Sequence, residues 1–267
     1  MHVAAINIYP IKSCAGIALK TSRLLDTGFE WDRHWMLVDP ADRFVTQREL
    51  PQLATVVPHF ESHELVVAAP GESDLSVPLA PVGKSHAVRL WRDRVRGRDC
   101  GDSAAAWFSR VSGRPLRLVA FDPALARVSN QAFTAPAVAH TEFADGYAVL
   151  VLSESSLEDL NSRLAAPLPM TRFRPNLVLR GSRAYQEDEI RSLQIGDVEL
   201  RIVKPCERCK ITTVDQNTGR AEGDEPLRTL RTYRYDRQLK GVIFGQNAIV
   251  MRGIGQQIAV GMPIIAH

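Results

Sequence analysis

Cysteine is scarce in this chain. Four thiols in 267 residues, at 14, 100, 206 and 209, are spaced too unevenly to make a disulfide framework, and they point to a reducing compartment. Charge of one sign is also lacking. The 33 basic and 30 acidic side chains leave a net charge of +3, which argues against a nucleic-acid module built on a dense cationic field. No apolar run of signal-peptide length follows a basic stretch at the start, and polar or charged residues interrupt every later apolar segment. Neither a leader nor a membrane span is therefore expected. With 45% hydrophobic and 24% charged residues, the composition is that of a soluble globular protein, expected in the cytoplasm. The length allows one large or two modest domains.

The patterning is mostly that of short strands. Residues 3–9 alternate, are β-branched and stop at Pro10; residues 17–25 read as a second strand; strand-like pieces then recur up to Trp91 between Gly-, Pro- and Ser-containing turns. Such spacing favours a small barrel or sandwich. Residues 44–51 read as a strand entering a proline-closed turn, with a structural use. Helices are few. Ala104, Trp107, Phe108 and Val111 form one apolar face behind an N-cap at Asp102 or Ser103 and ahead of a stop at Gly113, placing a helix on the end of a barrel. Ser155 and Glu158 have capping-box spacing ahead of Leu157, Leu160 and Leu164, a core-packing helix. Residues 121–139 are Ala-, Pro- and Asn-rich without a period and read as a long connection containing a domain boundary. The expected division is 1–120 and 121–267.

One stretch carries chemistry: Cys206-Glu207-Arg208-Cys209, set between apparent strands at 199–203 and 211–214. Three readings compete for this Cys-x-x-Cys. A structural zinc site needs about four N or S ligands, and only His59 and His63 are spaced as a further pair. A thioredoxin-like dithiol should open a helix, whereas the β-branched Ile211, Thr212, Thr213 and Val214 follow. The third reading is a single thiolate on a soft transition metal, with Arg208 and Lys204 nearby to favour the ionised sulfur.

The run CERCKITTVDQNTG at 206–219, followed by Glu225-Pro226-Leu227 and Phe244-Gly245-Gln246-Asn247, resembles the MOSC domain of molybdenum-cofactor proteins. The branch it resembles contains the bacterial reductases of N-hydroxylated bases and the mitochondrial amidoxime-reducing component. The resemblance runs from Tyr9-Pro10-Ile11-Lys12-Ser13 to Asn247. It implies a mainly β protein with a few short helices, a small N-terminal β domain packed on a MOSC β-barrel, and molybdenum-molybdopterin enclosed between them. It makes Cys209 the molybdenum ligand, with Cys206 only its neighbour.

The same resemblance assigns Lys12, Ser13 and Arg33 to the pterin cofactor, Arg174 and Asn176 to it as well with the arginine on phosphate, and Arg208 to cofactor binding. Asp145, Gly146 and Tyr147 would lie against the metal and the cofactor phosphate. Glycine and tyrosine stand where amidoxime-reducing relatives have small hydroxyl residues, so backbone amides would take the phosphate there. His34 receives no role. The implied reaction is two-electron reduction of a small N-hydroxylated substrate, with Asp145 relaying a proton. No cysteines are left for an iron-sulfur domain, so electrons are expected from a separate flavin or iron-sulfur protein. The alternative is a non-catalytic carrier of sulfurated molybdenum cofactor. Pyridoxal phosphate binding attaches to the family only as a general term.

Overall fold

Alternation in the first strand, β1 (His2–Ile8), buries Val3, Ile6 and Ile8. The spacing from 3 to 6 departs from strict alternation because a bulge between Val3 and Ala5 resets the face. A computed structural model describes residues 1–221 and 223–267. The expected second strand is broken into β2 (Ile17–Leu19) and β3 (Thr21–Leu25), and β4 (Gly28–Phe29) and β5 (Trp35–Val38) follow. A small sheet comes next, formed by β6 (Val57–Glu61), β7 (Glu64–Ala68) and β8 (Leu75–Pro78). The strands β9 (Ser85–Leu90), β10 (Asp93–Asp99) and β11 (Arg117–Phe121) join β5 in a four-stranded sheet ordered β5-β11-β10-β9.

Helix α1 (Asp102–Ser112) buries Ala104, Trp107 and Phe108, and Gly113 ends it in the left-handed conformation as expected. Its N-cap is Gly101, one residue before the first of the two expected positions; the Asp99 carboxylate holds the Gly101 amide at 2.7 Å. The connection at 121–139 carries the short α2 (Gln131–Thr134).

In the second half, β12 (Val149–Ser153) runs into α3 (Glu154–Asn161), and β13 (Leu177–Arg180) returns parallel to β12. The cap of α3 is Ser153, whose Oγ accepts from the Ser156 amide at 3.1 Å. The capping box expected at Ser155 and Glu158 is displaced because Ser153 closes the strand with the extended backbone that a cap requires. The strands β14 (Ser192–Ile195), β15 (Val198–Glu207), β16 (Tyr235–Asp236), β17 (Gly241–Arg252), β18 (Gln257–Ala259) and β19 (Ile265–Ala266) complete the chain, with α4 (Leu227–Arg231) before β16.

The largest sheet has nine strands, ordered β19-β14-β15-β17-β12-β13-β1-β2, with β16 beside β17. Strands from the start of the chain are thus its edge: β1 pairs antiparallel with β13, placing Ile6 opposite Leu177. Conversely, β18 near the C-terminus pairs with β3. Buried residues of β1, β12, β13, β14, β15 and β17 form one core, and a second core lies under α1 and β6–β8. No helix among the described residues is long and apolar enough to cross a membrane.

The cysteine loop differs from expectation at both flanks. Strand β15 continues through Cys206, with register shifts between Pro205 and Glu207 that turn its end away from regular pairing. Residues 211–214 are not a strand. Cys209 precedes a single 3-10 turn, Lys210–Thr213. The threonines explain it: Thr212 Oγ1 donates to the Cys209 carbonyl and Thr213 Oγ1 to the Lys210 carbonyl, both at 2.9 Å. Local hydroxyl bonds of this kind compete with strand pairing and override β propensity.

Candidate active site

A pocket between the two halves is lined by Lys12, Ser13, Arg33, Asp145, Gly146, Tyr147, Arg174, Asn176, Arg208 and Cys209. Every residue assigned from the sequence therefore meets in one place. Three of them hold positive φ without being glycine, Ser13 at 72°, Arg33 at 52° and Arg174 at 56°. Such strain collects where geometry serves function.

The cations are fixed by the backbone around them. Lys12, on the turn after β1, donates to the Phe143 carbonyl at 2.8 Å and to Asp145 Oδ1 at 2.6 Å. Burial pulls its ammonium down to about 8, against the opposing pull of Asp145. Arg33 sits on the Asp32 carboxylate at 2.6 Å and donates to Asn176 Oδ1 at 3.0 Å. The Asn176 side chain also accepts from the Leu150 amide and donates to the Asn7 carbonyl, so it positions Arg33. Arg174 donates to the Cys14 carbonyl at 2.7 Å. Both guanidiniums lie over the Tyr9 ring, at 4.3 and 4.1 Å. Burial pushes the Tyr9 phenol up to about 12, keeping it neutral.

Asp145, expected to relay a proton, lies between two cations, Lys12 and Arg48. The charges of Lys12 and Arg48 hold its carboxyl well below the usual carboxylate range. At neutral pH it is ionised and is a counter-charge to both cations.

Arg48 is the residue the sequence reading missed. It lies in the segment 44–51, to which a purely structural use was given, yet Arg48 Nη2 donates to Cys209 Sγ at 3.0 Å. Its guanidinium also lies over the Trp91 ring at 4.8 Å and reaches Asp145 Oδ2 at 3.8 Å. The expected helpers of the sulfur are turned elsewhere. Lys204 pairs with Glu207, and Arg208 donates to Cys206 Sγ at 2.9 Å and to the Phe173 carbonyl at 2.6 Å. Nothing in the local pattern of 44–51 signals a contact with Cys209; only the resemblance of that segment to the family could have.

The other thiols lie in surroundings that oppose ionisation. Burial pushes Cys14 and Cys100 up to about 12 and raises Cys206, with Arg208 opposing. His59 and His63, on the β6–β7 hairpin, do not line the pocket. Among the described residues no group of three or more His, Cys, Asp or Glu is placed to hold a metal.

Whether an anionic cofactor fits here is answered by what the arginines leave unmade. Arg48 Nη1, Arg174 Nη2 and Arg208 Nε are buried without a hydrogen-bond partner. Unsatisfied buried donors are costly, and all three belong to arginines that line this pocket, the residue type that pairs with phosphate oxygens. The cavity is about 130 Å³, below the roughly 300 Å³ at which ordinary ligand pockets begin. The donor set thus fits the group, and room for it requires side chains at the rim to move, Asp145 at 59% exposure among them.

Residues 1–115 match the MOSC N-terminal beta barrel domain and residues 139–264 the MOSC domain. The mitochondrial amidoxime-reducing component 1 of Mus musculus is 36% identical over 272 residues, which cover 98% of this chain and 78% of that protein. Component 2 of Bos taurus is 39% identical over 241 residues, 87% of this chain and 72% of that protein. For component 1 of Homo sapiens the identity is 37% over 277 residues, 98% and 82% of the two chains. On this match along almost its whole length, the chain belongs to the family of MOSC-domain proteins that includes the mitochondrial amidoxime-reducing components.

Proposed function

We propose that the protein binds molybdenum-molybdopterin and is an oxidoreductase that reduces N-hydroxylated compounds, bases and amidoximes among them, with electrons from a separate flavin or iron-sulfur protein in the cytoplasm. The observation that carries this reading is the set of three arginines, Arg48, Arg174 and Arg208, each with a buried unpartnered nitrogen, that line one pocket together with the thiols of Cys206 and Cys209. Cys209 would hold the metal; Lys12, Ser13, Arg33, Arg174, Arg208 and the backbone at Gly146 and Tyr147 would hold the pterin and its phosphate.

When bound, the molybdenum centre supplies the two-electron redox chemistry of the reaction. In balance, the N–O bond of the substrate breaks, and two electrons and two protons convert the N-hydroxy group to N–H and release water. The chain's own part is positioning and field. Arg48 places its guanidinium against the Cys209 sulfur at 3.0 Å. Asn176 and Asp32 hold Arg33, and the Asp145 carboxylate keeps Lys12 and Arg48 from repelling each other.

The test is elemental analysis on protein made in a cofactor-competent host. Cys209→Ser is expected to lose molybdenum and all reduction of hydroxylaminopurine and benzamidoxime, and Cys206→Ser to retain the metal. Equal metal loss in both variants would overturn the assignment of Cys209. Metal without turnover, given a competent electron donor, would make the protein a carrier of the cofactor.

A further inference from the structure

An open cleft of about 790 Å³ adjoins the cofactor pocket and shares its wall at Asp145 and Gly146. The turn between β9 and β10 forms one side, and residues 128–130 of the connection form the other. Trp91, on that turn, is 47% exposed and held at a positive φ of 56°. Its ring packs on Phe44 at 4.8 Å, and its indole nitrogen donates to Asp145 Oδ1 at 3.3 Å. Because Arg48 bridges the Trp91 ring and Cys209 Sγ, a ligand lying along Trp91 is one guanidinium away from the thiol.

The charge of this cleft is one-sided. Its acids are already matched: Asp93 takes Arg127 Nε at 2.9 Å, and Asp145 takes Lys12. Arg43 is matched by Asp39 and Glu49. Arg89 and Arg92 are left over. Both are exposed, and among the described residues neither has an acidic partner; Arg89 reaches only the Ala41 carbonyl at 3.4 Å. Ser129, 3% exposed, lines the opposite wall with an Oγ that has no hydrogen-bond partner.

An aromatic wall with two uncompensated guanidiniums suits a planar ring that carries an anion. We infer that this cleft is the substrate subsite and selects N-hydroxylated aromatic compounds bearing an anionic group, phosphate or carboxylate, bound by Arg89 and Arg92 with the ring along Trp91. The inference rests on the reductase reading and deepens it by naming the substrate class.

Turnover by the loaded enzyme with reduced methyl viologen keeps any protein donor out of the measurement. The substrates are hydroxylaminopurine ribonucleoside against its monophosphate, and benzamidoxime against para-carboxybenzamidoxime. Each charged-to-neutral KM ratio is expected to favour the anion by about tenfold and to fall within about twofold of unity in Arg89→Ala/Arg92→Ala. A gain confined to the monophosphate identifies phosphate, and a gain shared by both pairs identifies any anion; either supports the inference.

A second readout is independent of turnover. Calorimetry on the cofactor-free chain should find adenosine monophosphate bound more tightly than adenosine, with the difference lost in the double variant. Equal KM for charged and neutral substrates overturns the inference, as does monophosphate binding that survives in the double variant and so belongs to the cofactor pocket. An effect of the double variant seen only with a protein donor makes the face a docking surface and overturns it too. If no molybdenum is found, the reductase reading falls, while the calorimetric comparison still decides whether the cleft binds anions.

Discussion

Arg174 carries a charge to a place that water barely reaches. It is 8% exposed, burial pulls its guanidinium down to about 10, and its Nη2 lacks a partner. Without an anion this residue burdens the fold; with one it becomes a clamp. Arg174→Met keeps the volume over Tyr9 and removes the desolvated charge. It should cut molybdenum content at least about tenfold while costing the cofactor-free protein less than about 1 kcal/mol, measured by urea unfolding. A larger loss of stability with metal retained would make Arg174 a structural residue. Lys12 gives a second test, through pH. Its ammonium stands at about 8 against an ordinary 10.5, so within that window the unfolded chain keeps a proton that the folded chain has lost. Stability from this residue therefore rises with pH across the window. In Lys12→Met that slope is absent. The parent should gain on the variant by on the order of 1–3 kcal/mol between about pH 7 and about pH 10, and a flat difference would exclude burial as the cause.

The element that sets the site is the loop from Cys206 to Gly219, which is tied down at several points. The Asp215 carboxylate accepts from the Asn217 and Thr218 amides and from Arg172 Nη2, each at 2.9 Å. Gln216 and Gln47 bond each other across the two halves. Gly219, at a φ of +65°, lies so close to the turn at Pro51–Thr55 that an added Cβ would stand 2.8 Å from Gln52 Cα. Gly219→Ala should cost about 2 kcal/mol or more and lower molybdenum content without touching the pocket; unchanged thermal unfolding would show that the two elements part easily. This loop was legible as a motif because its chemistry lies in consecutive residues. Its conformation was not, since the threonine hydroxyls bond their own backbone where β-branching suggests a strand. Lys12, Arg33 and Arg174 were legible only through the resemblance, as local pattern reads Lys12 as part of a hairpin turn, Arg33 as a structural ion pair and Arg174 as no more than a weak nucleic-acid contact. Arg48 stayed hidden even so, because its partner is 161 residues away and a polar turn reads the same with or without one.

For the whole molecule, the two family domains share one pocket and one sheet. The pocket takes Lys12, Arg33 and Arg48 from one half and Asp145, Arg174, Arg208 and Cys209 from the other. The sheet is shared as well: β1 covers the β13 edge, where Leu177 and Leu179 are fully buried, and β3 receives β18. Fragment 121–267 alone would expose that edge and its leucines, the arrangement that invites aggregation. Fragment 1–120 alone would leave Val3, Ile6 and Ile8 without the residues that bury them. Each fragment is expected to be insoluble or to unfold without cooperativity, and the two co-expressed should co-purify through a tag on either one. Reassembly should be complete before any cofactor arrives, because the joining contacts are strand pairs and apolar core. Cofactor addition should then raise the thermal midpoint of the reassembled pair and of the intact chain alike. A 121–267 fragment that is soluble, monomeric and cooperatively folded would mean that β1 is an ornament on a self-sufficient barrel, and that the pocket is formed by docking two finished parts.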